Sequence, residues 1–272
     1  MPVSDLSPAP IPRSDGWAHL RVKSHDGTTA IDHLRSSGAL KLLFPRSNTR
    51  LDAILINTSG GLTGGDKMAF QAQVGRGAVL GLTTQAAERA YRAADGVAQV
   101  HSHITVEQDS TLTWLPQELI VFDGAALERS LHIELETQAK VLMVEPIVFG
   151  RAAMGETVHS VHFSDLVEIT RAGKPLYTDQ MRFSGDFTAQ MARPAMGNGA
   201  CAMASLVYVA PDADRHLSAI RAALPQTGGA SLLHQDVLVM RILASDGFDL
   251  RRYLLPILDR LTQNSVPAPW RL

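Results

Sequence analysis

At 272 residues, with 45% hydrophobic and 19% charged side chains, the chain is long enough to bury a sizeable core and is neither disordered nor membrane-like in composition. Its 25 basic and 27 acidic residues are interspersed and leave a net charge of −2, so no basic face is set aside for nucleic acid or a membrane surface. The single cysteine, Cys201, excludes an internal disulfide framework and a cysteine-rich zinc site, and no apolar run reaches the roughly 20 residues that span a bilayer.

Residues 1–16 are proline-rich and lack the apolar stretch of a signal peptide, which predicts a flexible tail, a cytoplasmic protein and a single domain over 17–272. From about residue 17 to 210 the dominant period is two, as in Lys67–Val74, Val97–Val106, Leu131–Leu135 and Val158–Ile169. Only Gln85–Ala93 has room for two helical turns. A weak repeat places Val74, Ala78, Leu80 and Leu82 over Val106, Ser110, Leu112 and Trp114, and over Leu135, Ala139, Val141 and Met143. Such copies predict a mainly β, solenoid-like stack of short strands, or two packed sheets. The last 60 residues differ. Helices are predicted near 212–224 and 246–261, the second with Asp246 as its cap and Pro256 kinking it, and Ser231–Leu243 reads as a strand between them. This small C-terminal helical part is expected to cover a sheet face.

Asn57–Asp66 reads NTSGGLTGGD and looks at first like a phosphate cradle. A P-loop needs lysine and then a hydroxyl directly after the last glycine; here Asp66 follows, and a strand pattern succeeds it rather than a helix. The stretch is a shaped turn, with Asn57 and Asp66 expected to bond local backbone. No nucleophile elbow is present, and Cys201 sits in an apolar context as a small core residue. His101 and His103 share one strand face but have no third ligand at a fixed spacing, so no tight metal site is predicted.

Polar residues recur where the repeats end: Thr84, Gln85 and Glu88, then Gln117 and Glu118, then Glu145, then Arg151 and Glu156. Stacked copies would align them as an internal polar strip; the same spacing also suits solvated turns. Glu118 and Glu145 lie in apolar runs, where a charge needs a partner or a function, and Arg151 is the expected partner. A hydrolase using one of these carboxylates as general base is an alternative.

Taken in order, NTSGGLTGGD (57–66), TTQAAERAYR (83–92), WLPQELIVFDGA (114–125), EPIVFGRAAMGE (145–156) and PAPW (267–270) strongly resemble the urease accessory protein UreD family, called UreH in some organisms. The resemblance runs from about residue 17 to the C-terminus. It implies a non-enzymatic role in urease maturation, in which UreD-like proteins bind apo-urease subunits and UreF, and through UreF recruit the GTPase UreG. It also implies an internal path for nickel, transient rather than a tightly bound cofactor. Asp66, Thr84, Gln85, Glu88, Glu118, Glu145 and Glu156 are its candidate lining. Phe248, Arg251, Tyr253, Leu254 and Trp270 are the candidate partner contacts. An adaptor with no metal role is the remaining alternative.

Overall fold

In the computed structural model, which describes residues 12–46, 50–151 and 154–271, the alternating segments become strands of two facing sheets. The first sheet opens with β1 (Asp15–His25) and β2 (Thr28–Gly38), a hairpin closed by Asp26 and Gly27, both at the positive φ that a tight Asp-Gly turn requires. Asp15 and Gly16, placed in the tail by sequence, therefore belong to β1; residues 1–11 of that tail lie outside the described residues. The antiparallel pair β3 (Leu40–Leu43) and β4 (Leu51–Asn57) starts the second sheet.

The chain then winds. Each coil runs along the first sheet, turns tightly, returns along the second sheet and adds a short third side. The first coil is β5 (Lys67–Val74), β6 (Val79–Thr84) and β7 (Glu88–Ala90). The next is β8 (Ala98–Val106), β9 (Thr111–Leu115) and β10 (Leu119–Val121). The third is β11 (Ala126–Leu135) and β12 (Lys140–Phe149), whose last three residues pair with β10. Successive coils stack in parallel, giving a solenoid-like stack of about four turns.

The repeat seen in sequence is this coil. Val106 pairs with both Val74 and Leu135, Leu112 with Leu80 and Val141, and Trp114 with Leu82 and Met143. The three turns are equivalent as well. Ala78, Ser110 and Ala139 each donate a backbone N–H to the residue three before, and Gly77, Asp109 and Gln138 each take positive φ. Gln85–Ala93 is not helical, against expectation. Glu88–Ala90 pairs in parallel with Leu119–Val121, and those ladder bonds win over a two-turn helix too short to stand alone.

β13 (Val161–Arg171) and its antiparallel neighbour β14 (Lys174–Gly185) finish the first sheet. Leu20, Leu80, Ile104, Leu112, Ile133 and Phe163 fill the space between the sheets. A short helix absent from the sequence reading, α1 (Phe187–Met191), closes one corner, with the Phe187 ring stacked 3.9 Å from Phe149 and edge-on to Phe183.

The second sheet continues antiparallel through β15 (Ala202–Val209), β17 (Val237–Ala244) and β16 (Gly228–His234). The strand expected over Ser231–Leu243 is thus a hairpin, broken at the polar Gln235 and Asp236. α2 (Ala213–Ala223) and α3 (Gly247–Leu261) cover the outer face of this sheet. α3 turns Leu250, Leu254, Ile257 and Leu258 onto it and runs through Pro256 to Leu261, with Asp246 accepting from Asp249 N as the predicted cap. The β12, β15 and β17 part of the second sheet is therefore covered on both faces. Behind α3, a short 3-10 turn (Ala268–Arg271) delivers Trp270, whose indole N–H donates to Leu115 O at 2.8 Å. Arg50, at the start of the stack, donates to Ser265 Oγ and O at 2.9 and 2.7 Å.

Candidate functional site

The glycine loop Asn57–Asp66 is a turn stabilised by its own side chains. Asn57 Oδ1 accepts from Ser59 N, and Asp66, which is buried, accepts from Ser14 N and Thr63 N at 2.8 Å each. Gly64 is required because a Cβ there would lie 2.2 Å from Asp95 O. Asp66 thus ties β1 to the loop rather than lining any opening. Changing Asp66 to Ala is expected to lower stability by about 1–3 kcal/mol in urea denaturation, since two backbone N–H groups lose a charged acceptor. Asp66→Asn should recover part of the loss; an unchanged midpoint in both variants would refute the clamp.

Inside the stack, one aligned row is polar at only two of its four positions, Thr84 and Glu145. Leu55, Thr84, Pro116 and Glu145 sit at equivalent inward positions of successive coils. Beside them lies a cavity of about 210 Å3. Its lining runs from the exposed Gly60, Gln85 and Ala86 to the buried Phe70, Trp114 and Glu145, so one end reaches the surface at the corner after β6. Thr84, Gln85, Glu88 and Glu145, four of the seven sequence candidates, line it, together with Asn57, Ser102, Gln117 and Arg129.

Two carboxylates define the cavity's electrostatics. Glu88 accepts from Asn57 Nδ2 at 3.1 Å and from Arg89 N at 3.1 Å; burial outweighs these bonds and pushes its pKa up. Glu145, 5% exposed, accepts from Trp114 Nε1 at 2.6 Å. Arg129 Nη1 stands 2.8 Å from Glu145 Oε2, but off the hydrogen-bonding direction, so that oxygen is charge-compensated yet has no directed bond. Arg129 itself forks Asp165 through Nε at 2.8 Å and Nη2 at 2.6 Å. Burial raises the Glu145 pKa, and the Arg129 charge only partly offsets that. Burial alone would weaken proton binding on Arg129, but Asp165 and Glu145 reverse this and hold the guanidinium firmly charged.

The other candidates lie elsewhere. Glu118 faces α3, forked by Arg251 Nε at 3.0 Å and Nη2 at 2.7 Å. Glu156 accepts from Arg151 Nε at 2.8 Å beside a surface groove that also holds Arg92, Phe122 and Asp123. Arg151, the expected partner of Glu118 or Glu145, meets neither; Arg251 and Arg129 take those roles. Both are distant in sequence from their partners, which is why local reading missed them. A signal for Arg129 and Asp165 existed: each shares the inward parity of its strand, with Leu127 and Leu131 or Phe163 and Val167. Among the described residues, no three His, Cys, Asp or Glu side chains converge to hold a metal ion. His101 instead meets Ser130, and His103 meets Glu134, on the outer face of the first sheet.

The family model described as UreD urease accessory protein matches residues 14–271. The chain belongs to the UreD family. It is 48% identical over 267 residues to the urease accessory protein UreD of Roseobacter denitrificans, covering 98% of each chain. It is 49% identical over 255 residues to that of Ruegeria pomeroyi, covering 93% of this chain and 99% of the relative. To the Rhizobium etli UreD it is 41% identical over 263 residues, covering 96% of each.

Within this UreD fold the five expected partner contacts divide sharply. Phe248 is 77% exposed on α3, and Tyr253 is half-buried. Leu254 and Trp270 are each 1% exposed, packed in the second core, and Arg251 is spent on Glu118, Gln117 and the Trp270 ring. Leu254 and Trp270 therefore lie beneath the surface of the C-terminal region and shape it from within. No helix among the described residues is long and apolar enough to cross a membrane.

Proposed function

We propose that the chain is a non-catalytic factor of urease maturation in the cytoplasm. It binds the apo-urease subunits and UreF, holds UreG through UreF, and passes nickel as cargo along its interior. The observation that supports the conduit is the cavity, a polar pocket with Glu88 and Thr84 toward its mouth and Glu145 at depth, inside an otherwise apolar stack. Carboxylate and amide oxygens hold a first-row divalent cation more loosely than His or Cys ligands do. A path must bind well enough to admit its ion and weakly enough to release it. Among the candidate contacts of α3, the exposed Phe248 ring and the half-buried Tyr253 are the ones placed to meet UreF.

The hydrolase alternative has less support. Glu145 is held by the Trp114 indole N–H and the Arg129 charge, and Glu118 is forked by Arg251, so neither is a free base.

The test is nickel per urease active site in cells. Deleting the chain should leave urease nearly nickel-free at ordinary nickel supply. Glu88→Gln combined with Glu145→Gln should lower loading about fivefold or more, as two oxygen ligands of a weak path are lost. Full loading in the deletion strain sinks the whole reading. Full loading in the double variant, with the complex intact, leaves a scaffold without a conduit.

A further inference from the structure

On its buried side the cavity is lined by Arg129 against Glu145, and polar residues continue beyond them. Glu145 of β12 pairs with Ser205 of β15, and Ser205 with Arg241 of β17, so the inward row of the second sheet runs on toward its edge. Across from it, Arg129 and Asp165 are paired on β11 and β13, and Asp179 lies on β14 opposite Val167, two residues along from Asp165. Asp179 bonds Arg241, which is about half-exposed, and lies 3.4 Å from Ser205 Oγ. Arg129 lines the cavity, whereas Asp165 does not; the guanidinium stands between the two regions.

We propose that Arg129 is a resident cation that plugs the inner end of the cavity and occupies, at Glu145, the place a divalent transition cation would take. This rests on the conduit reading above and adds a regulating element to it. The arginine is held by its fork to Asp165, which does not depend on Glu145. Glu145 Oε2, buried and without a directed hydrogen bond, is the oxygen that a divalent ion can claim. An ion with twice the charge and an inner-sphere affinity for oxygen wins that oxygen while the fork stays closed. The remaining positive charge then repels the ion and hastens its departure. The trio of one guanidinium and two carboxylates is thus a release device: Glu145 attracts the cargo and Arg129 keeps it from settling.

The experiment titrates Co2+ and Ni2+ into the purified full chain, kept with whatever partner maintains its solubility, by calorimetry and by the cobalt d–d spectrum. Arg129→Gln with Asp165→Asn removes the guanidinium without leaving Asp165 charged and unpaired. The trio keeps its net charge in this double variant, yet the variant should bind either ion at least roughly tenfold tighter, because the cation directly against Glu145 is gone while the carboxylate lost with it stood beyond that cation. Adding Glu145→Gln should abolish the gain. Arg129→Lys, which keeps the charge and loses the fork, should bind as the parent does. Unchanged affinity in the neutral pair, a gain that survives Glu145→Gln, or an equal gain in the lysine variant each overturns the proposal. No urease enters the measurement, so normal urease loading without this chain would refute the maturation reading and leave the plug standing.

Discussion

Arg129→Leu is expected to destabilise the fold by roughly 3–5 kcal/mol, the scale of breaking a buried charge pair by removing one partner. Asp165 and Glu145 are each 5% exposed, and both depend on this one guanidinium for compensation. Each follows a buried residue two positions earlier on its own strand, Phe163 or Met143, so away from the cavity that Glu145 lines little water can reach them. Urea denaturation of the variant should show a lower midpoint with an unchanged slope. Replacing all three residues by leucine should recover most of the loss, because apolar side chains of similar volume carry no desolvation cost. A single variant within about 1 kcal/mol of the parent, the ordinary range of surface changes, would show that the trio is hydrated and not a core feature.

Trp270→Ala is the second large effect, at roughly 3–5 kcal/mol, the usual cost of emptying a buried aromatic site. The ring is 1% exposed, accepts the Arg251 guanidinium over its face at 5.2 Å, and donates to Leu115 O. Its removal strands that carbonyl and loosens the arginine that forks Glu118. Trp270→Phe separates these parts: it keeps much of the packing and loses the indole donor, for about 1–2 kcal/mol. Thermal and urea unfolding of the two variants check the order. Equal losses would mean that the hydrogen bond, not the volume, holds the C-terminal turn.

The coil was legible in the sequence because its period is written in small and large apolar residues. Val74, Val106 and Leu135 pair in the register their spacing gives, and Trp114 stacks between Leu82 and Met143 as the repeat requires. The third side was not legible. β7 and β10 are three residues each, too short for any period to show, and their stability comes from neighbouring coils rather than from their own residues. The same logic sorts the carboxylates. Glu145 and Glu118 both stood out as charges in apolar runs; Glu145 keeps the inward parity of β12, but the face Glu118 takes depends on where β9 ends and β10 begins. The corner sends Glu118 outward to α3 and leaves Glu145 inside. Arg129 escaped notice because Glu128 beside it makes the dipeptide look like a solvated pair, although parity assigns the arginine inward.

The double burial of β12, β15 and β17 in the second sheet has a consequence for how the chain is made. Its coils can wind one upon another as they emerge, each templated by the edge of the last. The outer face of that sheet is not fully covered until α3 has followed α2, and Leu115 gains no bond from the indole until Trp270, which comes after every strand and α-helix in chain order. Arg50, among the first residues out, waits for Ser265. During synthesis the molecule is therefore a half-roofed structure with a long apolar wall open to its surroundings. Until those last elements dock, that wall is the surface most open to association with other chains.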